Sequence, residues 1–341
     1  LWTNYQSFDF HHKHSGEPAH LSRLSQNENA KIQALCGYSS IKNPVERITG
    51  GYKTFNGQYP WAVSMVSESK KNRCGGALIS DRHILTAVHC FYKYDDATLP
   101  CTGASFDSKV MDKKKVQIHF GGVCIREESE DDCDEQDTQT ANIKKVAIGK
   151  RFTETRCMSG DDLAIVELDR KLKITAFVVP ICLRSQLNFP EFGFPALGIF
   201  GKNVEVSHTI SFNKSVRPSP GKLTGLRELG WGQTHKGHSS ARLRVVDSVL
   251  VVASCERNLL RATSSYGPYG ETRRGICVGD SGGPSQVMTD NGRAVLMGIH
   301  SYGTNCSVKA QGFLSIFSSV YVPCMLDDIC ELTGVCPTIS H

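Results

Sequence analysis

The chain has 341 residues, of which 40% are hydrophobic and 21% are charged. This composition is typical of a soluble globular protein and excludes a wholly disordered chain. The net charge of +5 is small for the length and gives no support to nucleic-acid binding.

Fourteen cysteines are scattered singly along the chain. None forms a C-x-x-C pair, so zinc-ribbon and thioredoxin-type sites have little support. Dispersed cysteines in an even number indicate disulfides and an oxidising compartment. Sequons at Asn213 and Asn305 agree with secretion, and no apolar run approaches the roughly 18 residues of a membrane span. The chain begins at Leu1 without a basic-then-apolar leader, so we expect that a signal peptide has been removed or lies outside this sequence.

Residues 1–47 are polar and lack the alternation of strands. Within them, a capping box, an apolar pair and a terminating glycine predict one short helix: Ser25 with Glu28, Ile32 with Leu35, and Gly37. Cys36 falls at the end of this helix.

After residue 48 the pattern changes to short β-type runs separated by turns, which predicts a barrel or a sandwich. The runs lie at 61–66, 77–80, 83–87, 116–120, 163–168, 245–252 and 294–301. Beyond Pro323, apolar residues at Leu326, Ile329 and Leu332 with Gly334 after them predict one C-terminal helix.

Three separated segments carry the groups that acyl transfer needs. A serine hydroxyl is too weak an acid to attack an amide unaided, whereas an imidazole titrates near neutrality and can accept its proton. A buried carboxylate orients the imidazole and stabilises the imidazolium. His89, Asp162 and Ser281 supply these groups in that order, although Asp161 competes with its neighbour for the carboxylate role.

Ser281 lies in the run Gly-Asp-Ser-Gly-Gly-Pro at 279–284. The flanking glycines allow the tight turn that exposes the hydroxyl and points backbone N–H groups inward. We expect the N–H groups of Gly279 and Ser281 to form the oxyanion hole.

These segments resemble the trypsin/chymotrypsin family of serine proteases, and the resemblance covers nearly all of residues 48–332. Further family motifs occur in the family's order at 59–61, 74–76, 180–182, 230–232 and 301–303. The family motif sets the aspartate directly before Leu163, which favours Asp162. The polar prefix and an acidic insertion resemble a divergent nematode secreted branch.

The resemblance implies an all-β fold of two perpendicular six-stranded β-barrels with a C-terminal helix and the triad in the cleft between them. A pro-segment with a short helix, residues 1–47, then precedes a protease domain at 48–341. Insertions lengthen that domain at about 95–140 and about 186–225. Eight acidic residues at 127–137 are interpreted as a solvated loop; a calcium site is the alternative, without EF-hand spacing to support it.

The resemblance also makes Arg47–Ile48 the activation bond of a zymogen. Cleavage creates an α-ammonium on Ile48, which can pair with Asp280 and rotate the Gly279 N–H into place. A buried carboxylate without a partner is costly, so the uncut chain is not expected to hold this geometry.

Three disulfides follow from the resemblance: Cys74–Cys90, Cys277–Cys306 and Cys36–Cys182. Two positions where many relatives carry a bridging pair are Leu226 and Val287, which indicates a lost bridge. Eight cysteines remain unassigned: Cys101, Cys124, Cys133, Cys157, Cys255, Cys324, Cys330 and Cys336. The four of them that precede Asp162 are expected to pair among themselves.

Trypsin-like members carry Asp six positions before the nucleophile, at the base of the specificity pocket. Here that position is Gly275, so a buried guanidinium or ammonium would lack an anion. We expect an open, uncharged pocket for aromatic or large aliphatic side chains. Arg273 and Arg274 give the alternative, a preference for acidic residues. The remaining substrate-binding candidates are Ser301, Tyr302, Gly303 and Gly312.

The expected partners are protein or peptide substrates, a separate trypsin-like activating protease and protein inhibitors, with no nucleic acid or membrane. No cofactor or metal is expected. The alternative function is a pseudoprotease that acts as a secreted binding protein, but such proteins usually have a substituted triad residue. A cysteine-rich structural protein would explain the cysteines and not the motifs.

Overall fold

The computed structural model describes residues 20–41, 47–48, 51–67, 72–94, 106–110, 113–126, 133, 137–148, 152, 162–184, 226–234, 238–255, 259–264, 275–289, 291–303 and 316–337. Among them are sixteen β-strands: β1 Arg47–Ile48, β2 Gly51–Lys53, β3 Ala62–Ser67, β4 Asn72–Leu78, β5 His83–Thr86, β6 Tyr92–Tyr94, β7 Phe106–Val110, β8 Val116–Phe120, β9 Gln139–Ile148, β10 Ala164–Leu168, β11 Leu226–Gly230, β12 Arg244–Ser254, β13 Leu259–Ser264, β14 Pro284–Met288, β15 Ala294–Gly303 and β16 Ile316–Tyr321. Two α-helices frame them, α1 Gln26–Leu35 and α2 Leu326–Thr333.

Six strands close into a first barrel in the order β10-β5-β4-β3-β8-β9. Alternation along β8 explains its orientation, because Val116, Ile118 and Phe120 are buried while Gln117 is exposed. β5 is buried along its whole length, as expected for a strand covered on both faces. β10 pairs directly with β5. This pairing brings the segment that contains Asp162, just before β10, close to the segment that contains His89, just after β5.

A second sheet has the order β1-β2-β12-β11-β14-β15-β16-β13, and an additional β12–β13 pairing closes six of its strands into a ring. The long strand β12 makes this closure, since its first half pairs with β11 and its second half with β13. A register shift between Leu250 and Val252 lets the strand bend between the two partners. The all-β fold with two barrels and a C-terminal helix is confirmed.

Leu226 and Val287, from which the loss of a disulfide was inferred, are neighbours in the second barrel. The two residues face each other across the β11–β14 ladder, and they are 0% and 2% exposed. An apolar cross-strand pair occupies this place and contributes to the core.

Both predicted helices are present with the expected ends. At α1, the Ser25 hydroxyl accepts a hydrogen bond from the Glu28 N–H (3.3 Å), and the Glu28 carboxylate accepts one from the Ser25 N–H (2.8 Å), which is a capping box. α2 ends at Gly334, whose φ is +72°. No helix in the described ranges is long and apolar enough to cross a bilayer.

Residues 20–41, here called the prefix strap, dock closely on the end of the chain. The Leu24 N–H donates to the Thr333 carbonyl (2.7 Å). Asn29 forms two hydrogen bonds with the Cys336 backbone, at 2.9 and 3.1 Å. Leu21, Leu24 and Ile32 of the strap are buried in the common core, so α1 packs as a structural element.

Charged groups fix the strap to the first barrel. Glu28 accepts hydrogen bonds from Lys171 (2.7 Å) and Arg82, and these bonds, led by that of Lys171, hold the pKa of Glu28 well below its usual range. Ser22 donates to the Glu167 carboxylate through its N–H (3.0 Å) and its hydroxyl (2.7 Å).

The strap also reaches the second barrel. Gly37 donates its N–H to the Pro180 carbonyl (2.7 Å), and its own carbonyl accepts from the Ala294 N–H (2.8 Å) on β15. A disulfide joins Cys36 to Cys182 at the same place. The strap therefore contacts both barrels and the C-terminal helix.

No described cysteine is free. Cys277 is disulfide-bonded, whereas Cys306, Cys101 and Cys157 lie outside the described residues. The disulfides between described cysteines are Cys36–Cys182, Cys74–Cys90, Cys124–Cys133, Cys255–Cys324 and Cys330–Cys336. About half of the 95–140 insertion and all of the 186–225 insertion are also outside.

Replacing Gly334 by Ala should undock the strap. A Cβ at this position would lie 2.5 Å from the Leu24 carbonyl oxygen, in addition to the strain of a positive φ. Gly292 is the matched control, because its φ is +75° and a Cβ there would meet nothing within 4 Å. We expect Gly292→Ala to cost about 1 kcal/mol and Gly334→Ala about 1–3 kcal/mol more.

Equilibrium denaturant unfolding of the two variants measures this difference. Limited proteolysis of the strap gives a second readout, and only Gly334→Ala should accelerate it. Equal destabilisation by both substitutions would show that the contact with Leu24 is unimportant.

Candidate active site

His89 and Asp162 form a tightly bonded pair between the two barrels. His89 lies in a 3-10 turn directly after β5, and Asp162 lies just before β10, the neighbour of β5. The Asp162 carboxylate accepts from the His89 backbone N–H at 2.9 Å and from Nδ1 at 2.6 Å. An ionised carboxylate can only accept, so Nδ1 carries a hydrogen and Nε2 is left as the basic nitrogen.

A third donor completes the surroundings of this carboxylate. The Ser301 hydroxyl, on β15 of the second barrel, donates to Asp162 Oδ2 at 2.5 Å. Asp162 is 0% and His89 3% exposed, so the three bonds compensate for the loss of water around the charge. Asp161, the competing aspartate, lies outside the described residues.

Ser281 lies at the tip of the turn that precedes β14, and its backbone is held by the first barrel. The Gly75 N–H donates to the Ser281 carbonyl at 2.7 Å, and Cys90 Sγ lies 3.8 Å from the same oxygen. Cys90 directly follows His89 and is bonded to Cys74 on β4. These contacts bring the Ser281 turn beside the histidine turn.

The second barrel holds the same turn from its other side. The Gly282 N–H donates to the His300 carbonyl (2.8 Å), and the His300 N–H donates to the Gly283 carbonyl (2.9 Å). Ser281 itself is half-buried. The turn is thus fixed by backbone hydrogen bonds from both barrels while the serine keeps access to solvent.

Asp280 points away from solvent into the second barrel. Its carboxylate accepts from the Gly232 N–H (2.7 Å) and from the Cys277 N–H (2.9 Å). A Cβ on Gly230 would lie only 1.9 Å from Oδ1, so this glycine makes the space for the carboxylate. Burial raises the pKa of Asp280 to about 6, although hydrogen bonds and Arg244 oppose the shift.

The predicted substrate-binding residues are described in part. Gly275 and Tyr302 are half-buried, Ser301 is buried and Gly303 is exposed at the end of β15. Gly312, Arg273 and Arg274 lie outside the described residues. Cys74 and Cys90 have sulfurs near the His89 ring, but because they are bonded to each other they offer no thiolate to a metal.

A buried polar cluster beneath the Ser281 turn was missed by the sequence analysis. Its members lie on four adjacent strands of the second barrel: Glu228, Ser285, His300 and Ser319. The Ser285 hydroxyl donates to Glu228 Oε2 (2.5 Å), and His300 Nε2 lies 3.2 Å from the same oxygen. On the other side of the ring, His300 Nδ1 is 3.2 Å from the Ser319 hydroxyl.

Burial favours the uncharged forms of both titratable groups in this cluster. Burial raises the pKa of Glu228 to about 8, with a smaller contribution from Asp280, and burial lowers the pKa of His300 to about 3. The signal in the sequence was the position of Glu228, which shares the inward face of β11 with Leu226. An acid at an inward position of a strand requires partners on the neighbouring strands.

Glu228→Gln tests this protonation state. The folded-state pKa of Glu228 lies above its ordinary value of 4.5, so its contribution to stability is present below pH 4.5 and is lost as the pH rises toward 8. Glutamine resembles the neutral acid and does not titrate. The free energy of unfolding of Glu228→Gln should therefore rise relative to that of the unchanged chain between about pH 5 and pH 8.

Denaturant unfolding at several pH values across that window measures the difference. Asp137→Asn, at an exposed position just before β9, is the control and should show no comparable trend. A difference for Glu228→Gln that stays flat or falls with rising pH would mean that Glu228 is ionised in the folded chain.

Comparison with known proteins agrees with this fold. The Trypsin family model matches residues 48–193 and 202–323. Similar curated proteins include trypsin-like protease try-5 of Caenorhabditis elegans, 27% identical over 301 residues, which cover 80% of this chain and 82% of that protein. Coagulation factor IX of Cavia porcellus is 24% identical over 269 residues, which cover 78% and 75%.

The Spaetzle-processing enzyme of Drosophila melanogaster is 26% identical over 319 residues, which cover 86% of this chain and 68% of that protein. These three relatives come from a nematode, a mammal and an insect, so membership of a nematode branch stays a prediction. The family model spans most of the chain. Its first matched range contains the paired His89 and Asp162, and its second contains the half-buried Ser281. The chain belongs to the trypsin family of serine peptidases.

Proposed function

We propose that this protein is a secreted serine endopeptidase that is made as a zymogen and is activated by cleavage after Arg47. The observation that carries the proposal is the Asp162 carboxylate, which binds both the backbone N–H and Nδ1 of His89. This arrangement fixes the tautomer of the imidazole and directs Nε2 away from the carboxylate. A histidine held in this way suits general-base catalysis.

In the proposed reaction Ser281 is the nucleophile. His89 Nε2 takes the proton of the Ser281 hydroxyl as Oγ attacks the carbonyl carbon of the substrate. The N–H groups of Gly279 and Ser281 stabilise the oxyanion of the tetrahedral intermediate. His89 then donates the proton to the leaving amine, and water releases the acyl group from Ser281 by the same steps in reverse.

Activation is proposed to act through Asp280. In the uncut chain Ile48 is paired with Gly51, within the short β1–β2 ladder at the edge of the second sheet. The Asp280 carboxylate is already buried in the uncut chain, contrary to the expectation from the sequence. It accepts hydrogen bonds from the N–H groups of Gly232 and Cys277, and burial raises its pKa. A buried acid of this kind gains from a cation, and the new α-ammonium of Ile48 is the cation that cleavage would supply.

The proposed specificity is for aromatic or large aliphatic side chains. Gly275 carries no charge and is half-buried at the expected base of the pocket. A guanidinium in such a pocket would lack an anion, whereas an apolar side chain gains about 1.5–3 kcal/mol on burial. Because Arg47 does not fit this preference, a separate trypsin-like protease is the proposed activator. Proteins and peptides are the proposed substrates, and protein inhibitors are proposed partners.

Ser281→Ala should abolish turnover in the activated chain. The unchanged chain should be nearly inactive until it is cut after Arg47, and then hydrolyse peptide amides. Loss of the nucleophile typically lowers kcat by on the order of 10⁶. Hydrolysis of a peptide library and labelling by a fluorophosphonate probe measure both effects.

Two further variants sharpen this experiment. Asp280→Asn should leave the cut chain inactive, because the charge partner of Ile48 is gone. Ser39→Ala is the serine control and should keep full activity, since the Ser39 hydroxyl lies in the prefix strap and bonds the carbonyls of Ile41 and Gly57. A cut chain that neither turns over substrate nor takes the probe would favour the pseudoprotease alternative, a secreted binding protein.

A matched peptide series that varies only the residue before the scissile bond tests the specificity. Cleavage should be fastest after Phe, Tyr or Leu, and slow after Arg, Lys, Asp or Glu. Gly275→Asp should reverse this order toward Arg and Lys, since it adds an anion at the base of the pocket. Faster cleavage after Arg than after Phe in the unchanged enzyme would contradict the pocket assignment, and a preference for Glu would favour the alternative based on Arg273 and Arg274.

A further inference from the structure

A buried asparagine of the first barrel binds the backbone of the nucleophile turn in the second. Asn72, the first residue of β4, is 7% exposed, and its Nδ2 donates to the Gly279 carbonyl at 2.8 Å. The two residues are 207 positions apart in sequence. A carbonyl oxygen can only accept, so the NH₂ end of the amide must face Gly279.

A second buried group fixes the orientation of this amide. The Ser64 hydroxyl on the neighbouring strand β3 is 0% exposed and donates to Asn72 Oδ1 at 2.7 Å. With the oxygen end bound to Ser64, rotation of the amide by 180° would lose both hydrogen bonds. Ser64 and Asn72 therefore form one oriented donor directed at Gly279.

Gly279 needs external support for its conformation. Its φ is +95°, and it lies in a turn and not in a strand. The peptide group before it is held because the Val278 carbonyl accepts from the Gln233 N–H at 2.8 Å. Since the N–H of Gly279 points opposite to that carbonyl in the trans peptide plane, this bond sets the direction of the N–H. The peptide group after Gly279 is held by Asn72.

Strand β4 also binds the backbone of Ser281, the proposed nucleophile. Three residues after Asn72, the Gly75 N–H donates to the Ser281 carbonyl at 2.7 Å. β4 thus binds the turn at two carbonyls, one on each side of Asp280. Each of these carbonyls belongs to the same residue as one of the two N–H groups that the proposed function assigns to the oxyanion.

We infer that Asn72, oriented by Ser64, is a positioning residue for the oxyanion site. It does not touch the substrate. It holds the peptide that follows Gly279, and with Gln233 it restricts rotation of Gly279, so that in the cut chain the Gly279 N–H stays directed at the developing oxyanion. This inference rests on the proposed function, and it adds residues that the triad and the glycine-rich turn do not include.

Asn72→Asp and Ser64→Ala test the inference in the cut, full-length protein. Asn72→Asp keeps the size of the side chain and removes the donor, and it should lower kcat for a peptide amide by about 10- to 100-fold, below the loss for a deleted oxyanion donor. KM should change by less than about twofold, because ground-state binding does not use the oxyanion contact. Ser64→Ala should cause a smaller loss of kcat in the same direction. Asn142→Asp on the exposed face of β9 is the matched control and should keep the activity of the unchanged enzyme.

Inhibitor binding separates positioning from a merely structural role. A peptide aldehyde forms a tetrahedral adduct with an oxygen in the oxyanion site, whereas the corresponding peptide alcohol does not. Asn72→Asp should weaken the aldehyde by about the same factor as it lowers kcat and leave the alcohol unchanged. Active-site titration with a fluorophosphonate corrects both constants for any fraction that has not folded, and Asn72→Ala repeats the test without an added charge.

An active unchanged enzyme whose Asn72 variants keep kcat and the aldehyde affinity would overturn this inference and leave the proposed function intact. Equal weakening of aldehyde and alcohol would also overturn it, because the defect would then lie in general binding. An unchanged enzyme that is inactive after cleavage contradicts the proposed function, and this inference falls with it.

Discussion

The buried Asp162 carboxylate is the constraint on which the centre of the molecule depends. A charge without exposure to water must be compensated by donors, and its three donors come from two places. The backbone and ring of His89 belong to the first barrel, whereas the Ser301 hydroxyl belongs to the second. The two barrels cannot separate at this point without leaving a buried charge short of a hydrogen bond, so the same bonds that orient the imidazole also hold the cleft together.

Around this centre, the first barrel acts as a template for a turn of the second. Backbone groups of β4 and β15 bind the Ser281 turn from opposite sides, and the Asn72 amide adds a side-chain contact. Each bond is modest by itself, about 0.5–1.5 kcal/mol net. Their main effect is to fix the orientation of the turn, because N–H donors that are oriented before a substrate binds need no reorganisation during a reaction.

The sequence was sufficient for features that depend on neighbours in the chain. The capping box at Ser25 and the glycine after α2 are local signals, and the short β-runs predicted the class of fold. The run around Ser281 was equally informative, since a glycine-rich turn around a serine has few other uses. Predicted strand ends differed from the observed ones by a few residues, as for β4, which begins at Asn72 and not at 77.

Features that depend on register and docking were beyond the sequence. Glu228 and His300 are 72 positions apart, and only the order of strands in the second barrel makes them neighbours. In the sequence, Asn72 and Ser64 have no feature that distinguishes them from other polar residues. Only the folded sheet brings the Asn72 amide within hydrogen-bond distance of the Gly279 carbonyl. The partners of Cys255 and Cys330 were left open for the same reason, because eight cysteines allow many pairings and geometry alone decides among them.

The docking of the prefix strap has a consequence for local unfolding. A short helix near the end of a chain ordinarily frays, because few contacts oppose the gain in conformational entropy. Here α2 is covered by Leu24 and tied to Asn29 through Cys336. We therefore expect α2 and the strap to open as one cooperative unit, so that their amide hydrogens share a single protection factor although about 300 residues of chain lie between them.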